Sequence, residues 1–172
     1  MTTLIVYGTV EGQTARIARF LADRITSAGH AAALFDTSQT ADLSFDGIDR
    51  VFLAAPVHER RHPRDFEAFV TAHRDDLAAR RSVMLSVGLK VAFEGGREEA
   101  EDYLREMEMR TRFTPNREVL VAGALRAGAY GYFETEVLRH VVLAGQDFRP
   151  EDGPHEFTDW DALAALVDEE LA

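Results

Sequence analysis

The chain has 172 residues, 46% of them hydrophobic and 28% charged, which suits one domain with a sizeable core and the composition of a soluble globular protein. Cysteine is absent, which excludes disulfides, thiolate metal sites and a cysteine nucleophile together. The net charge of −11 is unevenly spread. Residues 151–172 hold eight acids and no Lys or Arg, against 19 basic and 22 acidic residues over 1–150, and such a tail disfavours nucleic acid.

The first residues, "MTTLIVYGTV", lack the basic start of a secretory signal, and no apolar run approaches a membrane span, so a cytoplasmic protein is expected. Apolar runs predict strands over Thr3 to Tyr7, Ala31 to Phe35, Arg50 to Ala55, Ser82 to Val87 and Val119 to Ala124. Most are nearly continuous in apolar residues, as strands covered on both faces are. Between them, Ile17, Leu21 and Ile25 mark a helix over Thr14 to Ala28. Phe66, Phe69 or Val70, and Leu77 mark one over Pro63 to Ala79. Tyr103, Leu104 and Met107 mark a third over Glu98 to Arg110. A last helix follows "TDWDALAALVDEEL", with Thr158 or Asp159 as cap and Trp160, Leu163, Leu166 and Val167 as its apolar stripe.

This alternation predicts one α/β domain over 1–172, an open parallel sheet between helices. An extra helix and loop are expected over about 130–157, where "GQDFRPEDGPHEF" (Gly145 to Phe157) reads as exposed loop.

In such sheets ligands bind at the carboxyl ends of the strands, near the switch point of strand order. The first loop there is "TVEGQT", Thr9 to Thr14, between the first strand and the first helix. Free backbone N–H groups and the helix dipole make that place suitable for a phosphate, with Thr9, Gln13 and Thr14 as side-chain donors and Gly12 allowing close approach. The pattern is neither GxGxxG nor Walker A. An ordinary turn capped by Thr14 would look the same.

The loop resembles the FMN-phosphate loop of flavodoxin-like proteins. With "VAGALRAGAYGYFE" and "FTDWDALAAL", the stretch "YGTVEGQTARIARFLA" is similar to the short, FMN-dependent menaquinone-dependent protoporphyrinogen IX dehydrogenases, over almost the whole chain. The resemblance implies a three-layer flavodoxin-like fold with a five-stranded parallel sheet of order 2-1-3-4-5. It implies FMN as cofactor, held by Thr9, Val10, Glu11, Gly12, Gln13 and Thr14 at the phosphate, with Glu11 pointing away from it. Ala55, Pro56, Val57 and His58, together with Ser86, Val87, Gly88, Leu89 and Lys90, would hold the ring. Val57, His58 and Leu89 are the expected wall, and Lys90 a charge for reduced flavin. The implied activity is oxidation of protoporphyrinogen IX with a quinone acceptor in heme biosynthesis. A soluble electron carrier or quinone reductase docking to a redox partner protein, and a flavin-free module, are the alternatives.

The chain departs from the family pattern after the third strand, where "PVHER" replaces an aromatic and a glycine. The acidic tail is also poorly suited to an anionic membrane surface. His58, Arg60, Arg61, His62 and Arg64 crowd the second loop. Arg60 and Arg61 suit substrate carboxylates, His58 is the one acid–base candidate, and Pro63 argues against a helical His58/His62 metal pair, so no metal is expected. Arg126 and Tyr130, beyond the fifth strand, are further substrate-binding candidates.

Overall fold

The computed structural model describes residues 1–125, 139 and 154–172. Five strands form one parallel sheet of order β2-β1-β3-β4-β5: β1 (Thr2–Tyr7), β2 (Ala31–Asp36), β3 (Arg50–Pro56), β4 (Arg81–Gly88) and β5 (Arg117–Ala122). Neighbouring registers run Leu4↔Ala33, Leu4↔Val51, Phe52↔Val83 and Leu85↔Val119. The expected strand order is therefore the observed one.

Alternating side chains feed two cores. Leu4, Val6, Val51, Leu53 and Met84 face helices α2 (Arg64–Ala72), α3 (Arg74–Ala78) and α4 (Gly96–Thr111), meeting Phe66, Phe69, Leu77, Leu104 and Met107. Ile5, Phe52, Val83 and Leu85 face α1 (Gln13–Ser27) and α5 (Trp160–Leu171), meeting Ile17, Leu21, Ile25, Leu163, Leu166 and Val167. That period of two along strands buried on both faces explains why their sequences read as continuous apolar runs. β2 departs from this rule because it is an edge strand, with Leu34 exposed.

No helix links β2 to β3. Residues 37–49 cross β1 as a loop and bury Phe45 on the α2–α4 face, with Leu43 and Ile48 packed beside it. Arg80 ties the loop down, donating to the carbonyls of Phe45 at 2.9 Å and Ile48 at 3.1 Å while its guanidinium lies 5.1 Å from the Phe45 ring centre. At the sheet's amino edge, the first residues of β3, β4 and β5 are all arginines that converge on Glu170 of α5. Arg81 donates to its carboxylate at 2.8 and 3.0 Å and Arg117 at 3.3 Å, with Arg50 at 3.8 Å. Glu170 is only 5% exposed, so these pairs fix α5 against the sheet.

Three expectations need correction, and one choice left open is decided. The helix expected over Pro63 to Ala79 is two helices, because His73 leaves helical geometry with φ −109 and ψ 16. The fifth strand ends at Ala122, one residue before Gly123, and Ala124–Leu125 (β6) instead pairs antiparallel with His155–Glu156 (β7). His155 and Glu156 are therefore strand rather than loop. Between the two cap candidates it is Asp159 that accepts the Ala162 N–H, at 2.9 Å, while the Thr158 hydroxyl donates to the Ala122 carbonyl at 2.6 Å. Apart from residue 139, the extra segment at 130–144 lies outside the described residues, as does most of the loop after it.

Candidate functional site at the carboxyl edge of the sheet

Strand order reverses between β1 and β3, so the loops leaving them diverge and open a crevice at their carboxyl ends. The loop roots are laced together by the backbone. Gly8 donates to Ala54 at 3.0 Å, Val57 to Val87 at 2.8 Å and Gly123 to Gly88 at 3.2 Å. Three loops thus start side by side from a rigid sheet: Gly8–Gly12, Val57–Pro63 and Leu89–Gly95.

The first loop enters α1 through Gly12, whose φ of 92 is left-handed and open to glycine at little cost. The Thr9 hydroxyl accepts the Gly12 N–H at 3.1 Å and closes the turn. No side chain caps α1, and its first turn holds no acid. The other described α-helices each carry Asp or Glu in that turn: Asp65 and Glu67, Asp75 and Asp76, Glu98 and Glu99, and Asp161. Only α1 among them therefore offers uncompensated N–H groups and a positive dipole end to an anion.

Gln13 and Thr14 are buried, and Gln13 does not project as a free donor. Its amide donates to Glu156 at 2.8 Å and to Thr158 at 3.0 Å, leaving its buried side-chain carbonyl unpaired among the described residues. Glu156 also accepts from Arg16 at 2.6 Å and the Trp160 indole at 3.0 Å. These donors, Trp160 first and Gln13 next, hold its carboxyl below the usual carboxylate range against the opposing effect of burial. The β6–β7 ribbon is in this way fastened to the first turn of α1. Val10 is half exposed at the loop tip, and Glu11 lies beside it, partly buried.

The second loop is a tight turn in which His58 and Arg61 exchange N–H···O bonds at 2.9 and 3.1 Å. Glu59 and Arg60, at its tip, have φ of 49 and 66, as a type I′ turn requires, although neither is glycine. Buried Glu67 accepts from Arg61 at 2.7 Å and from Arg110 at 2.6 Å, which moors the turn to α2 and α4. Burial alone would raise the Glu67 pKa, but these arginines override it and lower it. His62 is 1% exposed, with Nε2 2.9 Å from the Ser86 hydroxyl. Burial drives its pKa down to about 4, so it is neutral at pH 7. Arg60 reaches outward with its guanidinium 5.8 Å from the Tyr103 ring centre.

The third loop begins as a 3-10 turn, Leu89–Ala92, and Lys90 ion-pairs with Glu99 of α4. Glu99 also accepts from the Tyr103 hydroxyl.

Of the expected site residues, the structure brings Thr9 to Thr14, Ala55 to His58 and Ser86 to Lys90 to one edge, with Arg60 and Arg61 beside them. Arg61 is taken up by Glu67 and Ser86 by His62. Arg126 and Tyr130 lie outside the described residues. Sequence reading missed Glu67, Glu99, Tyr103 and Glu156. The i,i+4 spacing of Glu99 and Tyr103 was a usable signal, whereas Glu156 meets Gln13 from 143 residues away and left none.

The sequence profile of the flavodoxin domain family matches residues 4–149. The protoporphyrinogen IX dehydrogenase [quinone] of Escherichia coli is 26% identical over 170 residues, covering 98% of this chain and 94% of its own length. Among solved structures, oxidised flavodoxin 1 from Bacillus cereus superposes with a TM-score of 0.52 at 17% identity, covering 71% of this chain and 84% of the flavodoxin. A variant flavodoxin from Pseudomonas aeruginosa gives 0.51 at 17% identity, covering 80% and 91%. These two likenesses speak for the fold.

Proposed function

Because the chain belongs to the flavodoxin domain family, we propose that it is an FMN-dependent dehydrogenase that oxidises protoporphyrinogen IX to protoporphyrin IX in two-electron steps, passing the electrons to a quinone. FMN is the cofactor that this membership implies, and the residues at the carboxyl edge fit it. The uncapped, acid-free first turn of α1 supplies N–H donors for a phosphate, and Gly12 keeps the backbone approachable. Among the described residues, no helix is long and apolar enough to cross a membrane.

The end-to-end match with the dehydrogenase carries the substrate reading. It spans 98% of the chain and so takes in the C-terminal "FTDWDALAAL" helix, which lies beyond the family profile's last matched residue. When bound, the flavin supplies the redox chemistry, and the protein supplies position and electrostatics. Thr9 and Gly12 shape the phosphate turn. Val57, His58 and Leu89 would wall the ring. Arg60 offers a cation to a substrate carboxylate, in preference to Arg61, whose guanidinium is held by Glu67. His58, on the turn between β3 and α2, is the candidate for taking a proton from the substrate.

The test is purification, a visible spectrum, and an anaerobic assay of protoporphyrinogen IX with menadione, followed by porphyrin fluorescence. A stoichiometric flavin band with quinone-dependent porphyrin formation is expected. A flavin band with quinone reduction but no porphyrin would overturn the substrate assignment and leave an electron carrier or quinone reductase.

A further inference from the structure

We propose that Glu99 is a positioning residue which, through Lys90, sets the reduction potential of the bound flavin. The inference rests on FMN occupying the carboxyl edge.

Lys90 is the only lysine in the chain, and it follows the end of β4 by two residues, on one of the three loops that frame the crevice. Its place is built rather than incidental. A Cβ at Gly96 would lie 2.1 Å from the Lys90 carbonyl oxygen, so α4 reaches this backbone only because residue 96 is glycine. The turn is closed by Phe93 donating to Lys90 at 3.1 Å and Gly96 donating to Phe93 at 3.2 Å. The ammonium, its side chain 21% exposed, then meets Glu99 one turn into α4.

Glu99 is the hub of a chain of contacts that joins two loops of the crevice. It accepts from Lys90 and from Tyr103, and the Tyr103 ring carries the Arg60 guanidinium from the tip of the β3 turn. Tyr103 is 6% exposed, and burial, followed by the bond to Glu99, pushes its phenol up to about 12, so it remains a donor. Lys90 and Tyr103 hold Glu99 ionised, below the usual carboxylate range.

The electrostatic consequence has a definite sign. A flavin gains negative charge on reduction, so a nearby cation favours the reduced form and a nearby anion disfavours it. In the native pair the two charges largely cancel. Removing the Glu99 charge unmasks Lys90, and removing the Lys90 charge unmasks Glu99. The two substitutions therefore act in opposite directions, and together they cancel.

The experiment loads wild type, E99Q, E99D, K90Q and the E99Q/K90Q double variant with FMN, and measures midpoint potentials by dye equilibration. Dissociation constants for oxidised FMN and melting temperatures of the apoproteins are measured alongside. E99Q is expected to raise the potential and K90Q to lower it, each changing the ratio of oxidised to reduced FMN affinity on the order of tenfold. The double variant and E99D should lie near wild type. Shifts of one sign in both single variants, or none in either, overturn the inference, since loosening of the loops alone would not reverse sign. A wild type that takes up no FMN overturns the cofactor reading and this inference with it. A wild type that binds FMN with potentials indifferent to these substitutions overturns this inference alone.

Discussion

Replacing His62 by Gln should remove this histidine's own share of the pH dependence of stability between about pH 6.5 and 4. The imidazole is 1% exposed beneath the β3 turn, bonded to Ser86 through Nε2, with Nδ1 unpartnered among the described residues. Burial lowers its pKa from 6.5 to about 4. The Glu67 carboxylate opposes that shift, and Arg110 reinforces it. In the unfolded chain the ring takes up a proton below about pH 6.5, but in the folded chain only below about pH 4. The unfolded state therefore binds more protons between these values, and native stability falls as pH falls through that window. The shift corresponds to about 3 kcal/mol at roughly 1.4 kcal/mol per unit, complete above the upper pKa and exhausted below the lower one.

Gln keeps a donor within reach of the Ser86 hydroxyl and does not titrate. Urea unfolding of wild type and His62→Gln at about pH 7, 6 and 5 isolates the effect, because every other titrating group is common to both proteins. The stability advantage of wild type should shrink by about 2 kcal/mol from the highest pH to the lowest, with the m-value unchanged. Parallel pH profiles would refute the reasoning, because they would mean that the ring titrates in the fold as it does in the unfolded chain.

Glu67→Gln should cost about 2–3 kcal/mol, at the low end for a broken buried pair because Arg61 and Arg110 can turn to water, and calorimetry would register it as a fall in Tm of about 5–10 °C. The folded Glu67 pKa is lowered, so its contribution is full above the unfolded value near 4.5 and lost as pH falls through the folded one. Glu170→Gln should destabilise by about 3 kcal/mol, since it strands the largely buried Arg50, yet leave the dissociation constant of FMN unchanged because it lies at the opposite edge of the sheet. Gly12→Val places a β-branched residue at φ 92 and should raise the FMN dissociation constant by about tenfold or more, for only about 1–2 kcal/mol of strain in the apoprotein. Equal FMN affinity in the Gly12→Val protein would mean that the phosphate sits elsewhere.

The amino-acid sequence by itself determined the layer order, the strands and the candidate crevice. Those features follow from local periodicities: continuous apolar runs such as Leu4–Val6 and Val83–Leu85, the four-residue spacing of Ile17, Leu21 and Ile25, and a glycine-bearing loop directly between strand and helix. Its motifs also sufficed for the resemblance to FMN-binding dehydrogenases. What only the tertiary structure decided is which polar groups are free. Arg60 and Arg61 are indistinguishable neighbours in sequence, yet Glu67 captures one and Tyr103 carries the other. Gln13 reads as a phosphate donor until Glu156 and Thr158 arrive from the far end of the chain. Lys90 reads as an open charge until Gly96 lets α4 bring Glu99 against it. The physical reason is the same in each case. A periodicity is written in adjacent residues, whereas the partner of a charged or hydrogen-bonding side chain is fixed by how distant elements pack, and no spacing along the chain records that.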